Sequence, residues 1–293
     1  MAKKLLITGG KGFIARNLFE QLCHDFEVIA CNHSELDLLD SNKVLDLIKN
    51  GRFDVVIHAA THDPAPKYSI KDPAKVLENN LRMFFNVARC NDHYGKLLYF
   101  GSGAEFGREN WRLKMDEGYY DQHVPTEQYG FSKYVMTKHA LQSKNIYNLR
   151  VFSVFGKYED WRYRFISRAC CSALFDLPIM IRQNTYYDYL YINDLVAIVR
   201  WFVNNSPLQQ VYNVCSGLEI KAAELAKIVK KIAGKDIEII DNSDSPCREY
   251  SGNNMQLLKE LEKFRFTPLD EAILDLYNWY SANKQIINKE ELL

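Results

Sequence analysis

Tyr129 and Lys133 stand four residues apart in the stretch QYGFSKY at 128–134. On a helix this spacing puts both side chains on one face, one turn apart. A phenol titrates near about pH 10 on its own, and a neighbouring ammonium group favours its ionised form. Such a phenol can give or take a proton at working pH. The same spacing also serves ordinary exposed helix contacts, so its meaning depends on the rest of the chain.

A second group of residues suits a phosphate. In LLITGGKGFIARNLFEQL (5–22) an apolar run leads straight into Gly9, Gly10 and Gly12, and helical spacing begins at about Phe13 and Ile14. Glycines at such a turn let the backbone approach a pyrophosphate, which then rests on the free N–H groups of the helix. The spacing is G-x-x-G-x-x-A, with Ala15 where a third glycine often allows close packing. At the end of the next apolar run, VIACNHSELDLLD (28–40), a carboxylate would bind the adenosine ribose of NAD. Asn32, His33 and Ser34 stand there instead. These three polar side chains could hydrogen-bond a 2′-phosphate, although no arginine is present to clamp it. NADP(H) is therefore favoured over NAD(H). Asp37 and Leu38 would border the adenine.

These residues need a scaffold, and the periodicity supplies one. The runs at 3–8, 26–31, 54–60, 96–102 and 147–155 are apolar with little alternation, as strands covered on both faces should be. Helical spacing fills 12–22, 41–49, 73–93 and 127–144 between them. Strand–helix alternation predicts an α/β fold, a parallel sheet doubly wound by helices. Beyond Gly156 the pattern loosens into a smaller mixed lobe, 156–293, with the segment near 186–205 returning to the first unit of 1–155. Further helices are predicted at 162–175, 193–205, 221–233, 254–262 and 269–283, and strands at 186–192, 210–216 and 237–240.

Composition narrows the function classes. Lys+Arg and Asp+Glu are 37 each among 293 residues, so no net field draws the chain to nucleic acid or to a membrane. The start, MAKKLLITGGKG, lacks a signal-peptide core, and no run is long enough to span a bilayer. Seven scattered cysteines without a C-x-x-C pair point to neither a metal site nor a disulfide framework. Reduced thiols in a cytoplasm fit them best.

Several segments together resemble the extended short-chain dehydrogenase/reductases, the NAD-dependent epimerase/dehydratase family, and within it enzymes of nucleotide-activated sugars. ITGGKGFIARNL is similar to the family's TGGxGFIGxxL, and VVIHAAT to its HxAA segment, whose Ala59 and Ala60 would line the cofactor. Asn80 in ENNLRMFFNV matches the asparagine that braces the catalytic lysine through water. LRVFSVFG, YYDYLYINDLV and VYNVCSG resemble LRxxNVYG, RDYVYVDDLV and YNxGxG. The resemblance spans nearly the whole chain and implies a Rossmann-type sheet with a C-terminal substrate lobe. It also implies a catalytic set of Tyr129, Lys133 and Ser102, with Lys133 also holding the nicotinamide ribose. Ser102, five residues before Gly107 in KLLYFGSGAEFG, would donate to the substrate carbonyl oxygen.

Departures from the family narrow the reaction. Similar sugar 4,6-dehydratases carry Asp-Glu after the hydroxyl residue, where this chain has Gly103-Ala104. Bifunctional GDP-fucose synthases place an epimerising cysteine at the position of Ala104. Hydride transfer with one proton remains, so the expected activity is NADPH-dependent reduction of a nucleotide-linked keto sugar, of the 4-keto-6-deoxy kind. The alternatives are a 4-epimerase with tightly bound NAD, and a cofactor-sensing protein without turnover. For the substrate, Arg248 lies near the family's diphosphate-gripping arginine, and Ser153 replaces the asparagine that contacts the sugar phosphate. Tyr187 replaces another expected arginine, for which Arg162, Arg164 or Arg182 could substitute. His58, His62, Asp63 and His123 are assigned no chemistry. By resemblance, the helices at 73–93 and 127–144 could pair with their copies in a homodimer.

Overall fold

The computed structural model describes residues 2–63, 69–243 and 249–293. The first unit is a parallel sheet. Strands β1 (Lys4–Thr8), β2 (Glu27–Cys31), β3 (Phe53–His58), β4 (Tyr94–Ser102), β5 (Ile146–Val151) and β9 (Val211–Val214) lie in the order β2-β1-β3-β4-β5-β9. Successive strand residues face opposite ways, and here both sides are apolar. Leu5, Ile7, Val55 and Ile57 enter one core with Leu18 and Leu22 of α1 (Phe13–Leu22) and Leu195 and Val199 of α6 (Ile192–Asn204). Leu6 and Val56 enter the other, with Val44 and Ile48 of α2 (Ser41–Gly51), Phe84 of α3 (Val76–Ala88) and Met136 of α4 (Gln128–Ala140). Burial on both faces explains why these strands read as continuous apolar runs. The strand order reverses between β1 and β3, which opens a crevice at their carboxyl ends.

The second part is a smaller mixed α/β lobe. Strands β6 (Ser153–Phe155), β8 (Tyr186–Tyr191) and β10 (Glu219–Lys221) form one sheet, and β7 (Ile179–Ile181) pairs with β11 (Ile239–Asp241). Helices α5 (Phe165–Leu174), α7 (Ala222–Ala233) and α9 (Leu269–Ala282) pack together beside them, and α8 (Met255–Leu261) lies against β9. Helix α6 packs on α1, whereas β8 stays in the small sheet.

The run at 147–155 was expected as one strand but forms two, β5 in the main sheet and β6 in the small one. The break falls at Phe152, whose ring is buried against Phe106 and Tyr250. Strands β7 and β10 have three residues each, too few for a periodic signal.

Candidate active site

The glycine turn is built by close approaches. Gly9 has φ +72°, and a Cβ there would lie 2.9 Å from Ala60 Cα. A Cβ on Gly10 would lie 3.2 Å from the Ala30 carbonyl carbon, and Gly10 N–H donates to Cys31 O at 2.9 Å. The turn is thus wedged between the ends of β2 and β3, as a cradle for a pyrophosphate must be. Gly12 caps α1 without any side-chain bond, which leaves the amides of Phe13 and Ile14 to an anion. Ala15 is fully packed beneath the turn. Thr8 Oγ1 bonds His58 Nδ1 at 3.0 Å and accepts from Ala60 N–H at 3.3 Å, so the two strand ends are pinned together. Burial and the Lys133 charge push the His58 imidazole down to about 3, and it is a neutral structural group. These residues fit a dinucleotide, and Ala60 closes against the turn at Gly9.

At the end of β2 one expectation needs correction. A carboxylate does stand there: Glu35 Oε2 accepts from Asn32 N–H at 2.8 Å and from Asn32 Nδ2 at 2.6 Å. Asn32 Oδ1 in turn accepts from Ser34 N–H and Ser34 Oγ. The chain turns after Asn32 and brings Glu35 back beside it, a placement three residues of sequence do not show. His33 is exposed, 3.8 Å from Asp37. Leu38 belongs to the core, while its carbonyl accepts from Asn86 Nδ2.

The Tyr–Lys pair rides on α4. Glu127 caps this helix by accepting from Tyr129 N–H at 2.8 Å and Gly130 N–H at 2.7 Å. A Cβ on Gly130 would lie 2.4 Å from Ala104 O, so only glycine lets the helix start abut the loop after β4. That loop is a short 3-10 turn, 103–106, held by a reciprocal cap. Ser102 Oγ accepts from Ala104 N–H at 3.2 Å, and Ser102 N–H donates to Glu105 Oε1 at 3.0 Å. Ser102 and Tyr129 hydroxyls are brought together as hydrogen-bond partners. Lys133 is buried, donates from Nζ to Phe100 O at 2.8 Å, and lies 5.7 Å from the Tyr129 ring centroid. Asn80 is buried and grips the loop after β3: its Oδ1 accepts from His62 N–H at 2.7 Å and its Nδ2 donates to His62 O.

The electrostatics differ from the simple phenol–ammonium picture. Tyr129 is pushed up to about 12, chiefly by burial and then by the Asp63 carboxylate. Ser102, Arg164 and Arg108 oppose that rise. The expected fall toward neutrality does not arise from the protein alone, because burial outweighs the nearby cations. Lys133 is pulled down to about 8 by burial, against the charges of Glu105 and Asp63. Tyr129 is therefore a neutral phenol, and Lys133 carries its proton at neutral pH.

Beneath the loop lies a buried ion pair, Glu105 Oε2 with Arg150 Nε at 2.9 Å. Thr137 Oγ1 and Asn148 Nδ2 also donate to Glu105. Gly101 makes room for it, since a Cβ there would meet Asn148 and Glu105 atoms at 2.1 and 2.2 Å. A further phenol, Tyr250, sits against Gly103 and hydrogen-bonds Ser102. Tyr250 and Glu105 escaped the sequence reading, and Asp63 was assigned no chemistry there; only Glu105 had a local signal, the S-x-x-E spacing of a capping box.

Of the substrate candidates, Ser153 lies half-buried in β6 opposite Tyr189 of β8. Arg248 lies outside the described residues. Arg162 is paired with Asp160. Arg164 is exposed and its charge reaches Tyr129, while Arg182 is exposed beyond β7. Among the described residues no three His, Cys, Asp or Glu side chains converge on a metal site, and no helix is long and apolar enough to cross a membrane.

The chain can be set beside known proteins. It is 22% identical to an ADP-L-glycero-D-manno-heptose-6-epimerase of Brachyspira hyodysenteriae, over 97% of this chain and 98% of the relative. It is 25% identical to a GDP-6-deoxy-D-mannose reductase of Pseudomonas aeruginosa, over 83% and 84%. The solved GDP-mannoheptose C4 reductase of Campylobacter jejuni, with NADP bound, superposes with a TM-score of 0.80 at 20% identity, covering 96% of this chain and 98% of that one. Residues 5–215 match the sequence profile of the NAD dependent epimerase/dehydratase family, and the chain belongs to that family.

Proposed function

We propose that this protein is an NADPH-dependent reductase of a nucleotide-linked keto sugar, of the 4-keto-6-deoxy kind. The observation that carries the reading is the neutral phenol of Tyr129 beside the Ser102 hydroxyl, with Gly103-Ala104 following in place of an acid or thiol. At residue 103, any side chain would collide with Tyr250. Elimination and carbon epimerisation need such an acid or base; reduction needs one proton donor. Ala59 and Ala60 would line the site of a nicotinamide cofactor, which would supply the hydride. Ser102 donates to the substrate carbonyl oxygen, and Tyr129 delivers its proton there as negative charge develops. Lys133, protonated below about pH 8, holds the ribose and offsets the charge left on Tyr129.

NADP(H) as cofactor is supported by Lys11 and His33, both exposed around the end of β2. For the nucleotide end, an open hollow of about 350 Å³ lies between Trp111, Arg112, Asn184, Tyr186, Lys221 and Glu249. It combines stacking surfaces with cations, as a nucleoside diphosphate requires. Arg164 is our candidate for the phosphate ligand nearest the reaction. Helices α3 and α4 pack side by side on one face, the arrangement that pairing with a second copy through four helices would use. Six free cysteines among the described residues support a cytoplasmic setting.

One observation favours a 4-epimerase with tightly bound NAD: the Glu35 carboxylate could receive ribose hydroxyls. The two readings part in one experiment. The purified protein is checked for bound nicotinamide, and oxidation of NADPH and NADH is followed with a panel of nucleotide 4-keto sugars. Net NADPH oxidation is expected. Stoichiometric bound NAD, with sugar interconversion and no net oxidation, refutes the reductase.

A further inference from the structure

Tyr250 is a phenol at this centre that the family's Tyr–Lys–Ser arrangement does not explain. It is 121 residues from Tyr129 in sequence, yet Ser102 hydrogen-bonds both. Its backbone is tied to β8, with Tyr250 N–H donating to Tyr186 O at 2.9 Å and Asp188 N–H donating to Tyr250 O at 3.1 Å. Its ring is wedged by Trp111, with centroids 4.0 Å apart, and by Phe152 at 5.0 Å. Trp111 is itself anchored, since its Nε1–H donates to Gly103 O at 3.0 Å. A Cβ on Gly103 would come within 2.5 Å of Tyr250 Oη, so the glycine and the phenol are fitted to each other.

The hydrogen-bond inventory of the two hydroxyls sets a direction. A hydroxyl has one proton to give and two lone pairs to receive. Tyr250 Oη receives the Gly103 N–H, and burial keeps the phenol neutral. Its own proton is then free for Ser102 Oγ, which already receives Ala104 N–H at 3.2 Å. A proton given there by Tyr250 would engage the second lone pair of Ser102 and turn the serine's own proton outward, to Tyr129 Oη and the substrate oxygen. We propose that Tyr250 is a positioning residue that fixes the Ser102 hydroxyl as a donor to the reacting oxygen. This rests on the reading of Ser102 and Tyr129 given above.

The test is a double-mutant cycle on kcat and KM for NADPH-dependent reduction of a nucleotide 4-keto sugar. Tyr250→Phe keeps the ring in its slot and removes only the hydroxyl. We expect kcat to fall about tenfold with KM within about twofold, the rate equivalent of one misdirected hydrogen bond. Unchanged thermal midpoint and NADPH binding would show that the fold is intact. In a Ser102→Ala background, Tyr250→Phe should cost nothing further, because the group it directs is gone. Tyr250→Leu, which also removes the ring, should lower kcat at least as far as Tyr250→Phe. Wild-type kcat in Tyr250→Phe, or losses that add in the double variant, overturns the proposal. Full activity in Tyr129→Phe would instead overturn the underlying reductase reading.

Discussion

Replacing Arg150 by methionine tests whether the buried pair beneath Ser102 holds the catalytic loop. Arg150 and Glu105 are both fully buried, with Nε and Oε2 2.9 Å apart. Methionine keeps much of the apolar contact that the guanidinium makes over Phe106, where the separation is 4.5 Å. What it removes is the charge that compensates Glu105, together with the Nη1 donor to Asn213 Oδ1 at 3.1 Å. Breaking a buried pair from one side costs about 3–5 kcal/mol, because the remaining charge stays buried. Glu105 would keep three donors, from Ser102 N, Thr137 Oγ1 and Asn148 Nδ2. Arg150 Nη2, moreover, has no partner among the described residues. Both facts place the loss near the lower end, at about 3 kcal/mol. Urea unfolding measures it as a lower midpoint at constant slope. Glu105→Gln removes the charge itself, so the Glu105→Gln/Arg150→Met double variant should recover part of the loss. A cost for Arg150→Met below about 1 kcal/mol, the scale of a neutral hydrogen bond, would refute the reasoning. Strictly additive losses in the double variant would do the same.

Two further predictions concern the site itself. Lys133 titrates at about 8 in the folded protein and about 10.4 when unfolded, so the unfolded chain holds more protons between these values. Stability from this group should therefore rise with pH across that window, while kcat/KM falls above about pH 8. Lys133→Met should abolish both trends, and an unaltered stability profile in that variant would contradict the assignment. For Gly9→Ala, left-handed strain of about 1–2 kcal/mol adds to a Cβ placed 2.9 Å from Ala60 Cα. Gly234→Ala has similar strain at φ +64° but nothing within 4 Å, which makes it the control. NADPH titration and thermal melting should show Gly9→Ala much the more damaging; equal effects would discount the close approach.

The features legible in the chain were those that local physics determines. Strands covered on both faces must be apolar throughout, and helices packed on one side must repeat every three or four residues. The order of β1, the glycine turn, α1 and α4 could thus be read directly. So could the Tyr129–Lys133 spacing, which needs only a helix. Tertiary structure decided what each group meets. It brought Glu35 back onto Asn32, split 147–155 between two sheets around Phe152, and set Asn80 on the loop at His62. It raised Tyr129 where an adjacent ammonium alone would have lowered it, because burial and Asp63 act through space. Gly103 had registered only as a missing acid. In the fold it is the space occupied by Tyr250, delivered from the far end of the chain. Burial and the partners of a hydroxyl depend on residues more than a hundred positions away, and no periodicity or local spacing encodes them.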